Sequence, residues 1–315
     1  MYNEEFKKQF IETRKIKYKD AESVLTVIFN RVGKFENRLK KDCCDFSQRE
    51  IIKMFVDFDT PSRSSLINIC SQLKTYTDYC LEKGIVKDKA NHYKEISQED
   101  YSRFINTDVG RGRIITRAKL LDLFIGNALR NPCDQFLCLG IFEGLGGPGL
   151  IEFANLKMSD FKGNEVHLNT GRVLKVSDEL VNIAKRSSNT YEKYAIWSDT
   201  AAANNSSKPL MENDDNIIKA SVNAVDLSPD KRARNMRDTL AYCRKAVDVD
   251  ALRTKALIES GRIEMINNLM ETGKYETWKD AYKANATEID YRYQPSWVDQ
   301  SHLKAYEAQY GEFLK

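Results

Sequence analysis

The strongest constraint on this chain is a helical rhythm that runs through most of its length and breaks in few places. In "SRSSLINICSQLKTYTDYCLEKG" the apolar residues Leu66, Ile69, Cys70, Leu73, Tyr76 and Cys80 recur every three or four positions. That is the spacing of one buried helix face. Pro61 stands at the start, where its missing N–H costs little, and Gly84 follows as a left-handed stop. Ser47-Gln48-Arg49-Glu50 is a capping box that opens "IIKMFVDF". Asp20 is placed to cap the run from 21 to 41, Thr116 to cap "RAKLLDLFIGNAL", and Ser177 to cap "DELVNIAKRS". Ser97 and Asp100 start a short segment, and Asn131-Pro132 opens "CDQFLCLGIFEGL". The last third returns to helix, from "SPDKRARNMRDTLAYCRKAV" to "SHLKAYEAQYGEFL".

The exceptions are as informative. "NEVHLNT" and "RVLKVS" alternate, carry β-branched residues and meet at Gly171, which predicts a hairpin. "YAIWS" reads as a further strand, followed by a polar loop. "NTDVGRGRIIT" has two glycines, two arginines and no apolar period, and so predicts a linker. The expected organisation is a helical domain over residues 1–107, a linker over 108–115 and a larger domain over 116–315. The second domain is mostly helical with a small antiparallel sheet, and the fold class is mainly α.

Composition narrows the function classes. No apolar run approaches the roughly 20 residues that cross a bilayer, and the first ten residues lack an apolar signal core. A cytoplasmic protein with no membrane partner is expected. Seven cysteines and three histidines show no zinc spacing, so no metal or cofactor is implied. The net charge is only +3, but "TRKIKYK" and "KRARNMR" concentrate the cations. Such runs serve as solvated helix faces, or as polyanion contacts where the fold brings them to one surface.

One stretch breaks the rhythm in a particular way. "FEGLGGPGLIEFANLKMSDF", 142–161, crowds four glycines and a proline into six residues, then runs to Leu156 and Asp160. With the hairpin and a later long helix behind it, this order resembles the tyrosine recombinases, the phage-integrase-like family. Gly144-Leu145 begins the similar stretch, Glu152-Phe153 resembles the family's E-L pair, and Leu156 and Asp160 resemble the leucine and aspartate that follow. "MRDTLAY" is similar to the family's "LRHTFAT". The resemblance implies a helical core-binding (SAM-like) domain followed by a tyrosine-recombinase-like catalytic-type domain, over roughly residues 45 to 315.

The same resemblance puts the first catalytic arginine at Gly149, the histidine at Arg234 and the second arginine at Arg237. Glycine carries no cation, and arginine, with its pKa above about 12, is no general base. Each donor to the transition-state charge is commonly worth ~3–4 kcal/mol. Near the family's hairpin lysine stand Asn169, then Arg172 and Lys175. Tyr275, Tyr282, Tyr291 and Tyr293 are the late tyrosines, none in the family's context. The expectation is a degenerate recombinase with no catalytic residue retained. The glycines either relax the turn so that a helix starting near Pro148 offers backbone N–H groups to a phosphate, or only permit close packing.

What the resemblance leaves is double-stranded DNA as partner, held between two domains. The residues expected at phosphates or bases are Lys231, Arg232, Arg234 and Arg237 on one helix, Arg172 and Lys175 on the hairpin, Arg111 and Arg113 in the linker, and Arg63, Ser64, Asn68 and Gln72 at the start of the "PSRSSL" helix. His92 is expected to be structural. The apolar tail positions Leu303, Tyr306, Tyr310, Phe313 and Leu314 either dock on a second copy or pack within the chain. The organisation also resembles the recombinase-fold lysogeny repressors of SPbeta-type Bacillus prophages. That implies a nucleoid-associated repressor acting at operator elements. A divergent active recombinase and an integrase-binding protein that ignores DNA are the alternatives.

Overall fold

The computed structural model describes residues 2–18, 21–58, 63–97, 100–104, 113–125, 129–195, 206–293 and 300–314. Asp20, Pro61 and Arg111 lie outside them, as do the side chains of Arg63 and Ser64. The chain divides into two units, Met1–Gly110 and Arg111–Lys315.

The first unit is helical: α1 (Glu4–Lys15), α2 (Ala21–Leu39), α3 (Gln48–Asp57), α4 (Arg63–Glu82) and the single turn α5 (Asp100–Arg103). The capping box at α3 forms, with the Glu50 carboxylate accepting from the backbone and hydroxyl of Ser47 at 2.8 Å each. The apolar stripe predicted for α4 is buried in full, from Leu66 to Cys80, and Gly84 takes φ +70°. Tyr76 packs edge-on against Phe10 and Phe29, with ring centroids 5.3 and 5.0 Å away. Such pairs add about 0.5–1.5 kcal/mol each beyond area burial. The same core holds an ionic knot, in which the buried Lys7 ammonium pairs with Glu36 and, at 3.4 Å, with Asp42. His92 is satisfied by Asp88 and Glu95 at 2.6 and 2.8 Å.

The second unit contains α6 (Arg117–Ile125), α7 (Pro132–Phe142), α8 (Asp178–Ser188), α9 (Pro229–Val247), α10 (Thr254–Glu271), α11 (Trp278–Tyr293) and α12 (Gln300–Tyr310). Every residue of α7 from Cys133 to Phe142 is buried, which makes it the axis of the core. Strands β1 (Phe161–Lys162), β2 (Glu165–His167) and β3 (Val173–Lys175) form an antiparallel sheet in that order, with Val166 opposite both Phe161 and Leu174. A two-stranded ribbon, β4 (Glu192–Tyr194) with β5 (Ser207–Pro209), lies later in the chain; part of the predicted "YAIWS" strand falls outside the described residues. Thr116 and Ser177 cap as predicted, accepting from Lys119 N at 3.3 Å and Leu180 N at 3.1 Å.

The expected linker differs in two respects, and of the two alternatives for the tail one is realised. The second unit begins before residue 116: Ile115 is buried in its core and donates its N–H to Ser260 Oγ at 3.0 Å. Arg113, expected on a linker, donates from Nε to Asp250 Oδ2 at 3.3 Å within that unit. The tail packs within the chain. Leu303, Tyr306 and Tyr310 bury themselves among Ile263, Ile266, Trp278, Tyr282, Ile289 and Tyr293 of α10 and α11, and Phe313 and Leu314 lie against that cluster. No helix among the described residues is long and apolar enough to cross a membrane.

Candidate nucleic-acid interface and the remodelled catalytic frame

After α7 the chain needs a backbone path that ordinary residues resist. Gly144 sits at φ +95°, and a Cβ there would fall 2.4 Å from Arg292 Cγ, so the position admits only glycine. Further on, Gly149 and Leu150 both take left-handed conformations, at φ +65° and +68°. The segment Pro148–Phe153 is therefore a kinked 3-10 turn. The helix N-terminus expected at Pro148 as a phosphate cradle does not form, because two consecutive left-handed residues cannot propagate a right-handed helix.

The kink turns Glu152 inward, where it is 1% exposed. Its carboxylate accepts from Gly146 N at 2.8 Å, Thr170 Oγ1 at 2.6 Å, and Arg172 Nε and Nη2 at 2.8 and 2.6 Å. Arg172 in turn donates from Nη1 to the carbonyls of Tyr291 and Arg292, at 2.8 and 3.0 Å, and from Nη2 to that of Gly144 at 3.0 Å. All five guanidinium N–H donors are thus used inside the protein. This corrects the placement of Arg172 at DNA: it has no donor left for a phosphate. Arg292 completes the hub, donating to the carbonyls of Glu143 and Lys175 at 2.8 Å each.

Helix α9 is capped by Ser228, which accepts from Lys231 N, with Pro229 at its first position. Ala233, Met236, Leu240 and Cys243 turn inward, which leaves Lys231, Arg234 and Arg237 exposed. Arg232 lies to the side and is a second correction. It pairs with Asp214 at 2.9 Å, with its side chain only 10% exposed, and braces the loop before α9. Arg237 reaches across to the kink and donates from Nη1 to the Gly149 carbonyl at 2.6 Å. The structure therefore brings together the two positions assigned to the family's arginines, with one guanidinium between them. Arg234, at the histidine position, is exposed and has no ion pair among the described residues. Lys175 is exposed on β3, and Asn169 donates to the Ile151 carbonyl at 3.4 Å.

The late tyrosines are mostly committed elsewhere. Tyr282 donates to Asp290 at 3.0 Å, Tyr275 accepts from Asn285, and Tyr293 donates to the Phe142 carbonyl at 3.1 Å. Burial pushes the Tyr293 hydroxyl well above its ordinary pKa. Tyr291 is 45% exposed, and its oxygen accepts from Val173 N at 2.8 Å.

In the first unit, the last turn of α1 and the outer face of α4 line an open groove of about 680 Å³. Arg14, Lys17 and Tyr18 stand on one side, Asn68, Ser71 and Gln72 on the other, and Ala21, Val24 and Leu25 form the floor. Asn68 and Gln72 were expected at DNA; Arg14 and Lys17 were visible only as members of a basic run. The sequence signal that would have singled them out is the one-turn spacing of Arg14 from Tyr18, because the guanidinium stacks on that ring at 4.7 Å. One buried grouping of metal-ligating type occurs among the described residues, Glu36, Asp42 and Cys43. The Lys7 ammonium already holds the cation position there.

Residues 1–82 match the family described as "MrpR, N-terminal core-binding domain". Residues 114–304 match "MrpR, C-terminal catalytic domain". The chain is also 24% identical over 223 residues to a Bacillus subtilis (strain 168) protein, "SPbeta prophage-derived uncharacterized protein YopR". That match covers 68% of this chain and 66% of the relative.

Proposed function

Since the chain belongs to the MrpR family, with tyrosine-recombinase-like core-binding and catalytic domains, we propose that it binds operator elements in double-stranded DNA and represses prophage transcription, maintaining lysogeny without cutting the duplex. The observation that carries this reading is the frame around Gly149. Where the chemistry wants two guanidinium groups on one phosphorane, only Arg237 is present, and it faces a glycine. Phosphate binding requires less. Lys231, Arg234 and Arg237 present three cations along one exposed helix face, and contacts of that kind supply most of the sequence-independent affinity for DNA. The SPbeta origin of the relative supports a prophage setting.

Immunoprecipitation across the host genome tests the repressor reading. A repeated bound element upstream of phage genes is the expected result. Uniform coverage, or none, defeats it. A divergent active recombinase is the second reading, and Tyr291 favours it, because this late tyrosine is exposed beside the Arg172 hub. A nicked suicide duplex separates the two: the repressor reading expects no covalent adduct, and an adduct lost in Tyr291→Phe would replace it with the enzyme.

A further inference from the structure

A pocket of the second unit lies where four helix ends meet the side of α10. The first residue of α6, the end of α7, the cap of α8 and the end of α11 leave an open space there of about 240 Å³. Gly261 sets its floor. A Cβ at that position would fall 1.8 Å from the Phe142 carbonyl oxygen, so α10 lies directly on the end of α7. Tyr293 Oη donates to the same carbonyl at 3.1 Å. The walls carry charges of both signs. Glu143, which is buried, accepts from Arg117 Nη2 and from Ser177 N, at 2.8 Å each. That pair satisfies itself, and two charged groups are left over. Glu264 is half-buried, and its carboxylate accepts the backbone N–H of Arg117 at 3.3 Å. Burial outweighs that bond and raises the Glu264 pKa. Arg292 donates to carbonyls, those of Glu143 and Lys175. Neither Glu264 nor Arg292 has an ion pair among the described residues. Asn268 stands exposed at the rim.

We propose that this pocket binds a small zwitterion of the α-amino-acid class, with its ammonium on Glu264, its carboxylate on Arg292 and the Asn268 amide at its head. The walls select against simpler ligands. A lone cation meets Arg117 and Arg292, and a lone anion meets Glu143 and Glu264, so each leaves one like-charge contact uncompensated. A molecule with both charges makes two charge-assisted hydrogen bonds, each about twice as strong as a neutral one. Phe142, Met265 and Tyr293 add apolar surface. A cavity of about 150 Å³ accepts a benzene ring, so this one has room for an apolar side chain beside the charged head. Because most of the walls are already hydrogen-bonded to one another, binding orders little. Arg292 also holds the Lys175 carbonyl of β3, which puts the occupant in touch with the hairpin. The site stands independently of the duplex reading. The rival occupants are charges of the chain itself that lie outside the described residues, Arg111 for Glu264 and Asp299 for Arg292.

Titration calorimetry on the full chain, without DNA, tests it. The probes are L-phenylalanine and L-leucine, with phenethylamine and 3-phenylpropanoate as analogues that carry one charge each. At least one amino acid is expected to bind saturably at one site per chain, and each single-charge analogue about tenfold more weakly or worse. Glu264→Gln weakens the amino acid by about tenfold or more, and Asn268→Ala by about fivefold, the loss of one neutral hydrogen bond. Glu264→Gln removes a charge that burial opposes, so its melting temperature stays at or above that of the wild type. Should it melt early all the same, Asn268→Ala, at an exposed position, carries the mutational readout. Three results overturn the proposal: neither amino acid binds, the single-charge analogues bind as tightly as the amino acids, or both variants bind like the wild type. Binding that appears only in Arg111→Gln or Asp299→Asn shows that the chain fills the pocket itself, and overturns it too. A chain that binds the amino acid but no duplex keeps this site and removes the duplex reading alone.

Discussion

Arg237 donates from Nη1 to the carbonyl oxygen of Gly149 at 2.6 Å, so the surviving arginine of the catalytic frame is bonded to the backbone of the missing one. The bond parks a flexible cation at a defined place without using up its charge. A carbonyl takes one of five donors, and the rest of the guanidinium remains exposed. A group held this way is suited to lie against a phosphate.

Arg237→Ala therefore lowers affinity for specific and unrelated duplexes alike, and reduces the slope of log affinity against log salt by about one. Fluorescence anisotropy over a salt series measures it. An unchanged slope would place α9 away from the phosphates.

The kink makes a separate demand. Gly149 is left-handed, and a Cβ there would lie 3.3 Å from Arg237 Nη1. Gly149→Ala is expected to destabilise the chain by about 1–2 kcal/mol through backbone strain. Urea unfolding reads this as a lower midpoint at constant m-value.

The Arg172 hub predicts a larger effect. Arg172→Ala leaves the Glu152 carboxylate buried with no cation, a change that typically costs about 3–5 kcal/mol. Removing both partners, with Glu152→Ala in the same chain, costs less than the sum of the single changes. A double-mutant cycle by thermal melting shows this as a coupling energy, and strict additivity would count against the hub.

Acid sensitivity has an identifiable source in Asp214. Burial opposes its charge, but N–H groups of Ala220 and Asn216 and the Arg232 guanidinium outweigh that and hold its pKa below the ordinary 3.8. A depressed folded-state pKa contributes stability that is present above the unfolded value and is lost as pH falls through the folded value. Asp214→Asn is thus expected to melt lower than wild type near neutral pH. The gap closes as the pH drops below about 4, which melting curves across that range will show.

Much of this was legible from local chemistry. Ser47, Thr116, Asn131-Pro132 and Ser177 each announce a helix start within a few residues of chain, and the structure places a helix after each. The hairpin through Gly171 and the inward face of α4 follow from periods of two and three-to-four. What the sequence hid depends on distance along the chain. Arg172 looked like a surface cation of the hairpin because its partners are 20, 28 and about 120 residues away, and no spacing rule reaches that far. Arg232 was misplaced for the same reason, its carboxylate lying on a loop 18 residues upstream. The left-handed pair at 149 and 150 was concealed because Leu150 is not a residue that advertises positive φ.

The crowding at Gly144 has an evolutionary corollary. With Arg292 pressed against that α-carbon and Arg237 already parked on residue 149, a single codon change that put arginine at 149 would meet an occupied niche and a strained chain before it met a phosphodiester. On the non-cutting reading proposed above, a return to strand exchange passes through several coordinated replacements, and packing works as a ratchet that turns one way.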